Sequence, residues 1–282
     1  MGNQLDWNNI DVIIRNALIE DIGTGDVTSL AMQVELQAEA EIISKQSGIL
    51  GGAEVAKRVF ELYDKDLDVH CHKNDGDKLV KGDVILTIKG EGRSILAAER
   101  TALNIIGRMS GIATLTAAFV NKVEGTNCRI LDTRKTMPNL RILDKYAVTC
   151  GGGHNHRYAL YDMILIKENH IRWAGGLEKA LEAALKYAKP ENLDIEIEVT
   201  DLDEYKRAID YPIKMIMLDH FTLDELREAV SIDHGKILLE ASGDVNLDTV
   251  SDIARTGIDL VSVGALTHSV INFDFSLLFH EL

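Results

Sequence analysis

Ile195-Glu-Ile-Glu-Val199, then a helix-period segment from Leu202 to Ile209, then Met215-Ile-Met-Leu218 form one strand–helix–strand unit. Short apolar or β-branched runs separated by helical periodicity require crossovers, and crossovers join parallel strands with right-handed chirality. Outward from this unit the same rhythm recurs, in Arg129-Ile-Leu-Asp-Thr133, Met163-Ile-Leu-Ile166, Lys236-Ile-Leu-Leu-Glu-Ala241 and Leu260-Val-Ser-Val263. The clearest helices between the other runs cover 176–188, 223–232 and 247–256. Six strands alternating with helices predict an α/β fold. Near-continuous apolar strands make a closed barrel the more economical arrangement, with a doubly wound sheet as the alternative.

The first 110 residues have another texture. Apolar residues at Ile10, Ile13, Ile14, Ala17 and Leu18 predict a helix over 6–20, ended by Gly23-Thr-Gly-Asp26. A second helix is expected over 52–63, with short strands at 38–44, 67–72 and 84–89. Asp75-Gly-Asp77 and Lys81-Gly-Asp83 bracket Leu79-Val80 with tight turns, a pattern of small β-sandwich modules. From Ser94 to Val123 one or two long helices are expected, with a kink at Ser110-Gly111. The chain therefore divides into an N-terminal domain over 1–110, which 270–282 is expected to join, and a barrel domain over 111–269.

The strand runs end in Arg134-Lys135, Lys167, Glu198, Asp219, Ser242-Gly243 and Gly264. In β/α barrels the loops after every strand converge at one rim, so ionisable or glycine endings on all six describe a site. Charge points the same way. The chain carries a formal net charge of −15, yet 129–172 holds eight Arg and Lys against four Asp and Glu, with His154, His156 and His170. Cations gathered in an anionic molecule suit an anionic ligand, a solvated basic face being the alternative. Arg134, Lys135, Arg157 and Lys167 can serve one cavity: Arg grips carboxylate or phosphate with two parallel hydrogen bonds, and Lys acts as a point charge. His156 adds a switchable donor. Gly151-Gly-Gly153 frees the backbone for close approach. Backbone N–H groups at Ser242, Gly243 and Gly264 could hold a phosphate. Glu198 and Asp219 suit Mg²⁺ or a cationic transition state.

Other readings stay open at this level. His154-x-His156 could ligate a transition metal, although no third ligand has matching spacing. His70-Cys-His72 is expected to be structural. Of Glu196 and Glu198, one is expected to face the lumen and the other the helices. A strand-end lysine such as Lys167 could form a Schiff base, given an apolar pocket. No uninterrupted apolar run reaches the ~18 residues of a membrane span. Met1-Gly-Asn-Gln-Leu-Asp6 lacks a secretory signal and has Asp6 where myristoylation wants Ser or Thr. Three scattered cysteines argue against a disulfide framework, and the acidic balance argues against nucleic acid as a partner. A cytoplasmic protein without membrane partners is expected.

Several strings resemble one family: Leu18-Ile-Glu-Asp-Ile-Gly-Thr-Gly-Asp-Val-Thr28, Glu99-Arg-Thr-Ala-Leu-Asn104, Asp132-Thr-Arg-Lys-Thr136, Gly151-Gly-Gly-His-Asn-His-Arg157, Leu165-Ile-Lys-Glu-Asn-His170, Leu239-Glu-Ala-Ser-Gly243 and Leu266-Thr-His-Ser269. They resemble, in order from about residue 10 to the C-terminus, the quinolinate phosphoribosyltransferases of the type II phosphoribosyltransferase class. The resemblance implies an N-terminal α/β sandwich domain and an incomplete six-stranded β/α barrel. It also implies transfer from phosphoribosyl pyrophosphate to quinolinate with decarboxylation, Mg²⁺ being required, to give nicotinate mononucleotide for de novo NAD biosynthesis. Carried over by motif, Arg134, His156, Arg157 and Lys167 hold quinolinate, and Lys135 with Lys167 faces pyrophosphate. Glu198 and Asp219 sit under the ribose with the metal, and Ser242, Gly243 and Gly264 take phosphate oxygens. Catalysis falls to Lys135, Glu198 and Asp219. Arg100 reaches the partner subunit's site, which makes a homodimer the working unit. The chain departs from the family pattern at Asp244, where a second glycine is usual, at His220 in place of a common Asn, and at Glu168 in place of Asp. Rivals are a nicotinate-specific or molybdenum-associated relative, a Schiff-base lyase, and a non-catalytic phosphosugar-binding protein.

Overall fold

The computed structural model describes residues 5–32 and 36–281. The expectation for the first residues thus falls partly on 1–4, outside the described residues. In chain order the first elements are α1 (Trp7–Ile22), α2 (Val27–Met32), β1 (Gln37–Ser44), β2 (Gly48–Ile49), α3 (Ala53–Tyr63), β3 (Asp68–Cys71), β4 (Lys78–Leu79), β5 (Val84–Glu91) and α4 (Gly92–Lys122). There follow β6 (Arg129–Leu131), α5 (Arg141–Cys150), β7 (Ile164–Ile166), α6 (Glu168–Ala174), α7 (Leu177–Glu191), β8 (Ile195–Val199), α8 (Leu202–Ala208) and β9 (Met215–Asp219). The last are α9 (Leu223–Ser231), β10 (Leu238–Ser242), α10 (Val250–Ala254), β11 (Leu260–Ser262), α11 (Ala265–His268) and β12 (Phe275–Glu281).

Two compact units share the chain. One takes Met1–Ala117, Thr136–Gly152 and Leu266–Leu282, and the other Ala118–Lys135 and Gly153–Ala265. By packing, 136–152 therefore groups with the first unit, whereas the sequence division placed it in the barrel.

The first unit is built on an antiparallel sheet in the order β12-β1-β5-β3. Strand alternation turns Ala38, Ala40 and Ile42 of β1 into the core. Helix α3 buries Val55, Ala56, Val59 and Phe60, and α1 buries Ile10, Ile14 and Leu18. Asp6 caps α1 by accepting from the backbone N–H groups of Asn8 and Asn9. The expected turns at 75–77 and 81–83 carry Gly76 at φ 92° and Gly82 at φ 95°, which explains glycine there. Helix α4 runs unbroken through Ser110-Gly111, where a kink was expected. Those residues serve packing instead. The Ser110 hydroxyl bonds both N–H and C=O of Gly51, and a Cβ on Gly111 would lie 2.3 Å from the Ile271 carbonyl oxygen. By length and apolarity α4 matches a membrane span, which the sequence reading did not anticipate. Its Ile95, Ala98, Ala102, Ile106 and Met109 are nevertheless buried, as in the core helix of a globular unit. Arg108 of α4 forks onto the fully buried Asp144 of α5, Nε to Oδ1 and Nη2 to Oδ2, both at 2.8 Å.

The second unit is a six-stranded parallel sheet in the order β6-β11-β10-β9-β8-β7. The first strand pairs with the last and the others follow in sequence. A doubly wound sheet would instead reverse direction from a central strand, so this order is that of a barrel. The barrel is incomplete: among the described residues β6 and β7 share no ladder. Leu131 of β6 pairs instead with His154, with His154 N–H on Ile130 O at 2.8 Å and Asp132 N–H on His154 O at 3.1 Å.

Alternation stacks the lumen in layers. Leu131, Met215 and Leu260, packed by Met163 and Leu238, form an apolar floor. One step up come Leu165, Glu196, Met217, Glu240 and Ser262, and above them Thr133, Lys167, Glu198, Asp219 and Ser242. The floor is closed with hydrocarbon, so the ionisable side chains of the lumen lie in the upper layers.

Candidate active site

The upper lumen of the second unit opens into a cavity of about 520 Å³. Thr133, Arg134, Lys135, His156, Arg157, Lys167, Glu198, Asp219, His220 and Ser242 line its charged part. Local structure explains each position. The Thr133 hydroxyl accepts the Lys135 N–H at 3.0 Å, turning the chain just past β6. Lys167 stands between β7 and α6, its N–H bonded to His170 Nδ1 at 2.9 Å. Glu198 and Asp219 end β8 and β9, and the strand register sets Asp219 beside Ser242.

Charges here are mutually arranged. The Lys167 ammonium is paired with the Glu198 carboxylate. That pairing speaks against a Schiff-base lysine, which wants an apolar setting. Burial pushes the Asp219 carboxyl up, and the Glu198 charge adds to the effect against His220, Lys167 and Lys135. Burial, with the neighbouring Arg134, pulls the Arg157 guanidinium below its usual range. The Arg157 Nη1 donates to the Met163 carbonyl at 3.2 Å. Arg134 Nε is buried and has no hydrogen-bond partner among the described residues. Crowded cations with an unsatisfied buried donor are a receptor for anions.

Beneath the rim lies a group that sequence reading missed. His156 Nε2 is 2.8 Å from Glu196 Oε2 and 3.5 Å from Glu240 Oε2, and both glutamates are fully buried. Burial pushes both carboxyls far above the ordinary range, and for Glu240 the neighbouring Glu196 adds to it, so the pair retains a proton at neutral pH. Folded protein therefore binds more protons than unfolded chain between ordinary carboxyl values and about 8. Stability falls as pH rises through that window, by at most about 1.4 kcal/mol per pH unit for one proton. Glu240→Gln, neutral at every pH, should show a shallower fall of Tm between pH 5 and 8 by calorimetry; parallel wild-type and variant curves would contradict this.

Eight of the sequence-predicted residues line this one cavity: Arg134, Lys135, His156, Arg157, Lys167, Glu198, Asp219 and Ser242. Gly243 follows at φ 99°, and a Cβ there would lie 2.6 Å from the His220 ring. Gly264, just past β11, is not among the lining residues; Ser262 represents that strand. Arg100 belongs to α4 in the first unit, exposed beside Glu99 at 3.7 Å. The expectation that Glu196 and Glu198 face opposite ways is corrected, since residues two apart on a strand share a face and both turn into the lumen. That rule, applied to Glu198 and Ser242, would have found Glu196 and Glu240. His154 serves the β6 edge through its backbone, and His70 of β3 meets His72, just past its end, edge to face, with His72 Nε2 2.7 Å from Thr87 Oγ1. Asp244 is 96% exposed at its side chain, with Oδ2 3.6 Å from His220 Nδ1, so the departures at 220 and 244 are neighbours in space.

Residues 26–110 match the N-terminal domain of quinolinate phosphoribosyl transferase and residues 112–278 its C-terminal domain. A Bacillus subtilis protein named "Probable nicotinate-nucleotide pyrophosphorylase [carboxylating]" is 41% identical over 94% of this chain and 91% of its own length. The crystal structure of NadC from Streptococcus pyogenes superposes with a TM-score of 0.95 at 38% identity, covering 99% of each chain. The nicotinate-nucleotide pyrophosphorylase from Francisella tularensis gives 0.94 at 41% identity, covering 99% of this chain and 98% of that one. Sequence match over both domains and coincident folds lead to one conclusion: the chain belongs to the quinolinate phosphoribosyltransferase family.

Proposed function

We propose that the cavity joins quinolinate to phosphoribosyl pyrophosphate, releasing pyrophosphate and CO₂ and leaving nicotinate mononucleotide for NAD biosynthesis. The observation that carries this is the cluster of Arg134, Lys135, Arg157 and Lys167 around one lumen, with Arg134 Nε buried and unpartnered. A dicarboxylate and a sugar pyrophosphate repel each other, and uniting them demands a cationic enclosure that also fixes their approach. Arg134 and Arg157 suit the carboxylates by forked hydrogen bonding, while Lys135 and Lys167 suit pyrophosphate as point charges. Ser242 ends β10 beside Asp219 and Gly243 follows it, where a sugar phosphate fits.

The pyridine nitrogen attacks the anomeric carbon as the bond to pyrophosphate breaks. Positive charge then builds on the ribose, and Glu198 or Asp219 stabilises it. The quaternised nitrogen next holds the electrons left on the adjacent carbon when CO₂ departs, and that carbon takes up a proton. Two carboxylates on neighbouring strands at the open top of the lumen offer the hard oxygen donors that Mg²⁺ requires. Glu198 and Asp219 would hold the ion, which supplies charge neutralisation for the pyrophosphate.

The working unit is a homodimer in which Arg100 enters the partner's cavity; its exposure on α4 is compatible with that role. Mixing Arg100→Ala with inactive Lys135→Ala should restore activity to about a quarter of wild type through hybrids with one intact site. No recovery after proven subunit exchange would remove the shared site. Cys71, Cys128 and Cys150 are free thiols, which supports a reducing, cytoplasmic location. One assay tests the whole reading, following pyrophosphate and CO₂ together from quinolinate. Equimolar release is expected, and turnover of nicotinate in its place would favour the nicotinate-specific rival.

A further inference from the structure

Glu196 and Glu240 take no part in the phosphoribosyl transfer just described, yet they occupy the centre of the barrel at 0% exposure. With His156 they have the make-up of a three-ligand metal site. The hydrogen bonds argue otherwise. The Arg157 backbone N–H points at His156 Nδ1 from 2.8 Å, so Nδ1 is an acceptor and carries no proton. A neutral imidazole then has its proton on Nε2, leaving no lone pair there for a metal. That N–H faces Glu196 Oε2 at 2.8 Å, which completes a continuous chain: Glu196 carboxylate, His156 ring, Arg157 backbone.

Both ring nitrogens of His156 are thus engaged inside the protein, and through Nδ1 the ring steadies Arg157. Its backbone is held by His156 Nδ1 and its guanidinium by the Met163 carbonyl. The preceding residues are held by the buried Asp132, which accepts the His156 N–H at 2.9 Å and the Asn155 amide at 2.6 Å.

We propose that Glu196 is a positioning residue: it fixes His156 as the Nε2–H tautomer and, through Nδ1, sets the backbone from which Arg157 enters the cavity. Glu240 stands behind it, 3.5 Å from the same ring nitrogen, and limits the directions the ring can turn. The proposal rests on reading the cavity as a carboxylate receptor in which Arg157 touches substrate.

The test uses the full-length protein with ¹⁵N-labelled histidine, the His156 signal being identified by its loss in His156→Gln. Without substrate, His156 should be protonated on Nε2 and bare on Nδ1. A proton on Nδ1, or a charged ring, overturns the proposal whatever the enzyme acts on. Kinetics supply the second arm. Glu196→Leu, which cannot accept the Nε2–H, should raise KM for quinolinate by about tenfold or more while changing KM for phosphoribosyl pyrophosphate less than about threefold. Glu196→Gln keeps an acceptor of the same shape and should bring KM back within about threefold of wild type. Unchanged KM in the leucine variant, or a glutamine variant as impaired as the leucine one, overturns the proposal. Where the leucine variant fails to fold, a KM rise of about tenfold or more in the glutamine variant does the same. Absence of any quinolinate turnover in wild type would defeat the functional reading alone, because the spectrum is recorded without substrate.

Discussion

Arg157→Ala and Lys135→Ala are each expected to lower kcat/KM for pyridine nucleotide formation by about 30-fold to several thousand-fold, the equivalent of roughly 2–5 kcal/mol for truncating a charged contact. Arg157 should show the larger effect. It is partly buried beside Arg134, where solvent cannot replace a lost contact, and its Nη1 is already oriented by Met163. Loss at Arg157 should appear mainly in KM for quinolinate, and loss at Lys135 mainly in the response to phosphoribosyl pyrophosphate. Lysine at 157 should rescue poorly, since an ammonium cannot reproduce the forked geometry. Wild-type steady-state kinetics in both alanine variants would remove the cationic enclosure as the basis of activity.

Asp144→Ala should destabilise the first unit by about 3–5 kcal/mol, because it strands the Arg108 guanidinium against a buried site. The carboxylate is fully buried, accepts two hydrogen bonds from Arg108 at 2.8 Å and one from the Met137 N–H at 3.1 Å. Calorimetry should resolve this as a large fall in Tm. The double variant Asp144→Ala/Arg108→Met removes both charges and should recover part of the loss, since a paired deletion leaves no orphaned ion. A double variant less stable than the single one would show that the pair is not the source of the effect.

Strands were the most legible part of this chain. Ile195–Val199 was bounded correctly, and the other barrel strands were found within a few residues, because continuous apolar runs ending in charge have few other interpretations. Barrel closure was less legible. It depends on β6 pairing with β11, two segments far apart in sequence whose contact no local pattern encodes. Helices α5 and α6 went unseen because Arg141–Cys150 and Glu168–Ala174 are short, the first lying between two charged motifs that drew a functional reading and the second overlapping one. The charged rim was legible since strand ends announce it. The layer beneath it was not, because a glutamate within an apolar strand looks the same whether it faces lumen or helices. The two-residue repeat back from Glu198 and Ser242 held the missing information for Glu196 and Glu240.

The absent ladder between β6 and β7 gives the barrel the mechanics of a split ring. A continuous ring of hydrogen bonds can widen only by breaking some of them, whereas a split ring yields at its gap. Arg157, beyond the strip that edges β6, and Lys167, at the tip of β7, stand on the two lips of that gap. The Arg157 Nη1–Met163 carbonyl hydrogen bond ties those lips together, so the spacing of the two cations is held by a side chain where a ladder would otherwise hold it.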